Sequence, residues 1–197
     1  MVATLAFVAV CSILAMHIPS PAESADSANG KADELFQLLE RLDGNTPIYT
    51  TKRSFQRNLK ADEKSTVQCV IAVKKFANNT AAELCTQYKT DKELGSPFLS
   101  TYTKMTETTI QGSSGSTQNM LTVQYVDPSG DCFIVSVNER TPSGNNKAAC
   151  DMLSKSLTST NSNCDTQFEN LCGTQSQTIS STSGCSGVSN PTCQDPK

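Results

Sequence analysis

The sequence predicts an all-β chain: an eight-stranded antiparallel up-and-down barrel, disulfide-braced, with a short N-terminal helix and a C-terminal helix packed outside. Three observations carry this. From Pro47 to Lys155 the apolar residues alternate with a period of two, in runs separated by turn chemistry. A short helical pattern stands before the first run and another after the last. Eight cysteines lie beyond residue 25, an even number. Closing eight strands into a barrel removes the sheet edges and leaves room for one small ligand. A β-sandwich would satisfy the same strand count, but a helix directly after the final strand favours the barrel.

Residues 1–25 read as a secretory leader. Val2–Met16 is apolar, Pro19, Pro21 and small residues follow, and cleavage is expected near 22–25. The run is too short and too early to span a bilayer. Residues 26–173 form the barrel domain and 174–197 a Ser/Thr-rich tail pinned by disulfides. Cys11 and His17, the one histidine, fall in the leader. The mature chain then lacks the residue needed for histidine-based catalytic triads and His-ligated metals, and there is no C-x-x-C. No cofactor or metal is expected, and the chain is not expected to be an enzyme. A net charge of −3 with 18% charged residues offers no basic footprint for nucleic acid. With 37% hydrophobic residues and no tryptophan, bridges are expected to carry part of the stability.

In chain order, Lys31–Asp43 carries Leu35, Phe36, Leu38, Leu39 and Leu42, a helical stripe closed by Gly44. Pro47–Phe55 is the first strand. Thr66–Phe76 is the most β-prone segment, with Val67, Cys69, Ile71 and Val73 on one face. Asn78-Asn79-Thr80 is the one glycosylation sequon, at a surface turn, making Asn78 the glycosylation site. Ala81–Lys89 and Phe98–Gln111 follow, the second long enough for two strands. Gly112–Thr117 is a turn. Met120–Val126 and Asp131–Val137 flank the hairpin turn Asp127-Pro128-Ser129-Gly130. Thr141–Asn146 is a loop and Lys147–Lys155 the last strand.

Asn163–Cys172 is then a helix. Ser162 or Asn163 caps it, Asp165 suits its dipole and Gly173 gives a left-handed stop. Cys164, Phe168, Leu171 and Cys172 share one side. Cys164 and Cys172 lie roughly 12 Å apart along such a helix, beyond the ~7 Å reach of a disulfide. Each must bridge to the body of the protein.

These residues resemble the tick salivary lipocalins, the family that includes the histamine-binding proteins. The likeness runs from about Glu34 to Cys185. It rests on a Leu-rich helix before a strand ending in Lys52-x-Ser54-Phe55, on Cys69 in VQCVIAVKK, on Cys132 in GDCFIVSV, and on NCDTQFENLCG followed by Ser-Gly-Cys185. The resemblance implies a secreted, extracellular lipocalin domain over 26–173 and the bridges Cys69–Cys185 and Cys132–Cys164. Three pairings of Cys85, Cys150, Cys172 and Cys193 remain open, with Cys150–Cys172 and Cys85–Cys193 preferred.

It also implies sequestration of a small host mediator in the barrel cavity, a biogenic amine such as histamine or serotonin. Alternatives are a lipid mediator, leukotriene or fatty acid, or a scaffold binding a host protein through loops such as Gly112–Gln118 or the tail. The expected state is a monomer without nucleic-acid or membrane partners. Amine-binding members carry a Glu-Leu-Trp/Tyr motif on the last strand; here Asp151-Met152-Leu153 stands in its place. Asn58 stands where the family has an acid after the first strand, Val123 stands before Cys132 where an acid would help, and the middle strands offer Thr101 and Tyr102.

Asp151 is the candidate counter-ion for a buried ammonium, which needs a carboxylate; on a strand such a residue is more often solvated. Glu107 is a second candidate with the same exposed alternative. Phe55, Tyr49, Tyr102 and Tyr125 are candidate cavity aromatics, or plain core. For an acidic lipid, Lys52, Arg53 or Lys74 would anchor the carboxylate. The paired framework predicts that alkylating the unreduced mature protein leaves its mass unchanged; one added alkyl group would break the four-bridge scheme.

Overall fold

The computed structural model describes residues 30–55, 65–158 and 162–194. The expected leader and Asn58 lie outside them. Helix α1 (Lys31–Arg41) precedes the strands β1 (Pro47–Arg53), β2 (Val67–Ala77), β3 (Ala81–Thr90), β4 (Phe98–Lys104), β5 (Thr109–Ser114), β6 (Thr117–Val126), β7 (Cys132–Val137) and β8 (Cys150–Ser154). Helix α2 (Ser162–Cys172) and a two-residue strand β9 (Gln177–Thr178) complete the chain. Strands β2 to β8 pair antiparallel in sequence order, and β1 pairs with both β8 and β2, closing an eight-stranded barrel.

The alternation in the sequence makes the wall, and α1 fills one end of it. Ala32, Leu35, Phe36 and Leu39 are buried against Ile48, Ala72, Ala82, Leu84, Ile110, Val123, Phe133 and Val135. Asp33 and Glu34 in the first turn and Arg41 in the last suit the helix dipole. Lys74 adds to this by donating from Nζ to the Glu40 carbonyl, 2.8 Å. The helix does not end at Gly44. Leu42 already leaves in extended geometry, its N–H on the Leu38 carbonyl, and no left-handed residue is needed there. Gly130 at the β6–β7 turn sits at φ +71, and a Cβ there would lie 2.7 Å from the Leu38 side chain. The turn requires glycine, and a Cβ would also push the Leu38 side chain aside.

Several boundaries differ from expectation for identifiable reasons. Gly112 and Ser113 belong to β5, and the hairpin narrows to Gly115-Ser116 with Gly115 at φ 57. Strand β8 begins at Cys150 because the donors of Lys147 serve α2: its N–H reaches the Cys172 carbonyl at 2.9 Å and its Nζ the Asn170 carbonyl at 2.8 Å. Val67 does not share a face with Cys69, Ile71 and Val73, because a bulge shifts the register between Val67 and Cys69. Those three residues lie outside the barrel, not in its core. Cys69 and Ile71 pack with Cys185, and Val73 with Cys85 and Cys193.

The tail covers that outer stripe. Strand β9 pairs with Lys52 and Arg53, and Ser180 Oγ takes the Val70 N–H and donates back to its carbonyl. Four disulfides lock the arrangement: Cys69–Cys185, Cys85–Cys193, Cys132–Cys164 and Cys150–Cys172, with Cα–Cα distances of 5.0, 5.6, 6.3 and 5.9 Å. The first closes a 116-residue separation, worth about 4–5 kcal/mol in the chain-entropy picture. Helix α2 is held at both ends as its spacing requires, with Phe168 fully buried between the bridges and Gly173 at φ 111.

Tyr125, Asp127 and Asn163 tie the N-terminus of α2 to the β6–β7 hairpin. Tyr125 Oη donates to Asp127 at 3.0 Å and accepts from Asn163 Nδ2 at 2.7 Å. Burial would raise the Asp127 carboxyl, but hydrogen bonds from Ser129, Tyr125, the Asp131 backbone and Asn163 outweigh it and hold it below its usual range. Burial, then the hydrogen bond and charge of Asp127, push the Tyr125 phenol up from 10.0 to about 12, against a smaller pull from Asn163. The folded chain thus binds this proton more tightly than the unfolded chain does. Its stabilisation is present below pH 10 and is lost as pH rises towards 12. Denaturation midpoints are expected to fall across that window, and less steeply in Tyr125→Phe; equal slopes in the two proteins would place the dependence on another group.

Candidate ligand site: the barrel cavity

Between α1 and the far end of the barrel lies a cavity of about 260 Å³, just under the ~300 Å³ at the small end of ligand pockets. Its floor is Leu35, Phe36 and Leu39 of α1; its walls include Ala72, Leu84, Ile110, Phe133 and Leu153. Hydroxyls of Thr50, Thr86 and Ser100 interrupt the apolar surface, the last two 3.3 Å apart. Tyr88, Phe98 and Tyr102 add aromatic faces, with Tyr88 tilted on Phe98 at 6.3 Å between centroids. Two glycines make room for these rings. A Cβ on Gly95 would lie 2.7 Å from the Tyr88 ring, and one on Gly112 3.1 Å from that of Tyr102.

Among the described residues, three charged side chains line the cavity: Arg53, Asp151 and Arg140. Arg53 and Asp151 face each other directly across β1 and β8. Arg53 Nε donates to Asp151 Oδ1 at 2.6 Å and Nη2 to Oδ2 at 2.9 Å, a two-pronged pair. The Arg53 side chain is 6% exposed and that of Asp151 14%. The guanidinium also sits 4.9 Å from the centre of the Phe55 ring, a cation–π contact that restrains it further. Arg140 is exposed, at the end away from α1.

Of the residues singled out from sequence, Asp151, Phe55 and Tyr102 line the cavity. Tyr49 and Tyr125 do not. Tyr49 packs outside beneath the tail, against Cys69, Ile71 and Cys185, and Tyr125 packs outside beside α2. Both misplacements have one cause. A register shift between Thr50 and Lys52 turns Arg53 and Phe55 inward although Tyr49, of the same parity, points out. A second shift between Val123 and Tyr125 does the same to β6, leaving Leu121 and Val123 inside and Tyr125 outside. Each bulge inserts one residue and reverses the faces beyond it.

The remaining candidates are also placed. Lys52 points outward to Asp165 at 2.8 Å, and Lys74 serves the end of α1. Glu107 is exposed at the β4–β5 turn, where its carbonyl accepts the Ala32 N–H. Thr101 pairs with the Ser113 hydroxyl at 2.6 Å and Val123 is plain core. Sequence reasoning missed Arg140, Tyr88 and Phe98. The clean alternation Leu84, Thr86, Tyr88 along β3 was a signal for Tyr88; Arg140 sits in a loop and offered none.

No family model matches the sequence and no curated protein matches it. Among solved structures the chain is similar to lobster apocrustacyanin A1, at 10% identity and TM-score 0.52, over 76% of this chain and 85% of that one. It is also similar to the siderocalin Ex-FABP, at 13% identity and TM-score 0.47, over 64% and 82%. The fold is the lipocalin fold.

The pair is testable by truncation. Asp151→Asn leaves a guanidinium without its charge partner inside the barrel and is expected to cost about 3 kcal/mol, the low end for a broken buried pair because the cavity admits water. The double variant Arg53→Met/Asp151→Leu is expected to recover much of that loss in a urea titration. A double variant as unstable as the single one would mean that the charges themselves, not their pairing, hold this region.

Proposed function

We propose that this chain is a secreted lipocalin that sequesters a small, largely apolar molecule with an acidic head, of the fatty-acid or eicosanoid class. One observation carries the reading: among the described residues, the one carboxylate lining the cavity is already held at both oxygens by Arg53. With Arg140 added, the lining carries one positive charge in excess. Among the described residues an amine entering this space meets no free counter-ion, whereas a carboxylate meets Arg140, with hydroxyls of Thr50, Thr86 and Ser100 elsewhere on the lining. An apolar floor with a few polar groups is the usual make-up of a small-molecule site. Secretion is supported by four disulfides, which persist in oxidising compartments, and by the apolar run and small residues at the start of the chain.

The amine reading, with histamine or serotonin as ligand, requires Arg53 to release Asp151. Its support is that Asp151, on the last strand of the barrel, lines the cavity.

Native mass spectrometry of the purified protein with histamine, serotonin, a leukotriene and a fatty acid in one mixture separates these. A retained carboxylic lipid is expected, bound about tenfold more weakly by Arg140→Glu. A retained amine with no lipid would overturn the acidic-ligand reading and make Asp151 the counter-ion. No adduct would remove small-molecule trapping and shift the role to the loops and tail as a protein-binding surface.

A further inference from the structure

The β2–β3 hairpin holds a feature that neither the barrel nor its cavity explains. Strand β2 bulges a second time, between Lys74 and Phe76. Lys74 lies on the inner face and reaches α1, but Phe76, two residues later, pairs with Glu83 and points outward. Phe76 is 47% exposed, an aromatic ring turned to solvent by a register shift while Ala77 and Ala82 take the inner positions. Asn78 follows Ala77, the last residue of β2, and is the first residue of the sequon Asn78-Asn79-Thr80.

The turn is ordered around the Asn78 side chain. Its Oδ1 accepts from the Thr80 N–H at 2.9 Å, the Ala81 N–H at 2.8 Å and the Thr80 hydroxyl at 3.2 Å. The Asn78 N–H reaches the Ala81 carbonyl at 2.9 Å. The amide bonds through its oxygen, and among the described residues Nδ2 donates to none.

We propose that Asn78 is N-glycosylated and that the outward-turned Phe76 ring is the platform on which the first sugar packs. The proposal rests on the secreted reading, not on any choice of ligand. Glycosylation would occur in the secretory pathway, with a lipid-diphosphate-linked oligosaccharide as donor. Asn78 Nδ2 forms a bond to the anomeric carbon, the bond from that carbon to the diphosphate oxygen breaks, and one Nδ2 proton goes to the transferase. The acceptor oxygen keeps its three bonds in the turn, so the turn survives the modification. A pyranose presents a face of C–H groups, which are attracted to the negative face of an aromatic ring. A ring two residues before the acceptor, exposed at the end of β2, lies within reach of a sugar attached there. Covering Phe76 in this way also removes an apolar group from water.

The full chain, leader included, is expressed in insect cells and recovered from the medium. Peptide-N-glycosidase is expected to lower its mass by one glycan and convert Asn78 to aspartate, and Asn78→Gln is expected to carry no glycan. Protein in the medium with Asn78 unmodified overturns the modification alone; retention of the chain inside the cell overturns the secreted reading and the modification with it.

The platform is read by melting. Removing the glycan from the wild-type protein is expected to lower Tm by about 2–4 °C. The drop is expected to persist in Phe76→Tyr, which keeps the ring, and to shrink by at least half in Phe76→Ala. An equal drop in all three overturns the role of Phe76. Since Phe76 is half exposed, the alanine variant leaves the barrel core intact, and Phe76→Tyr tests the ring independently.

Discussion

Closure of the barrel depends on β1. It is a strand of seven residues that must pair with β2 on one side and β8 on the other, while the tail strand β9 adds to its far end. A closed sheet leaves no edge over which a mismatch can relax, so the twist needed at the seam is taken up inside β1. The shift between Thr50 and Lys52 does this. Its first half pairs with β2 and packs Ile48 against the plug; its second half turns away and brings Arg53 and Phe55 into the cavity. The shape of the seam and the chemistry of the site therefore come from one extra residue.

The sequence was legible where one residue type dictates one structure. Strand runs of Thr and Val, the Pro-Ser-Gly turn at 128–130, the leucine stripe of α1 and the cysteine spacing of α2 all mark their elements. The spacing of Cys164 and Cys172 already required two separate anchor points. Faces were less legible than elements. Register shifts at Gln68, Lys75, Thr51 and Gln124 have no residue signature, since a bulge is set by the twist of neighbouring strands rather than by the bulged side chain. Alternation alone therefore puts Tyr49 and Tyr125 inside although they lie outside, and gives no hint of the exposure of Phe76.

A second reason for the mismatch is that this barrel has two apolar surfaces. Cys69, Ile71 and Val73 form as hydrophobic a stripe as any inner row, yet they face outward beneath the tail. The tail from Thr174 on, rich in Ser and Thr, lacks the apolar content to hold itself on a core. Cys185 and Cys193 supply what it lacks, and Ser180 satisfies both backbone groups of Val70. Periodicity alone reports that a face is buried, without saying whether the barrel interior or an outer strap buries it.

The same bulge sets which charges line the cavity wall. With unbroken alternation Lys52 would face inward and Arg53 outward, and Asp151 would meet an ammonium, a single point charge that leaves one carboxylate oxygen available. The shift presents a guanidinium instead, whose parallel N–H groups take both oxygens. Phe55, brought in by the same shift, stacks on that guanidinium and resists its withdrawal. The Asp151 carboxylate is held on the wall of the barrel, and among the described residues of the lining the positive charge left over is that of Arg140. On the acidic-ligand reading proposed above, a preference for acid over amine follows from strand register, with Asp151 unchanged in either case.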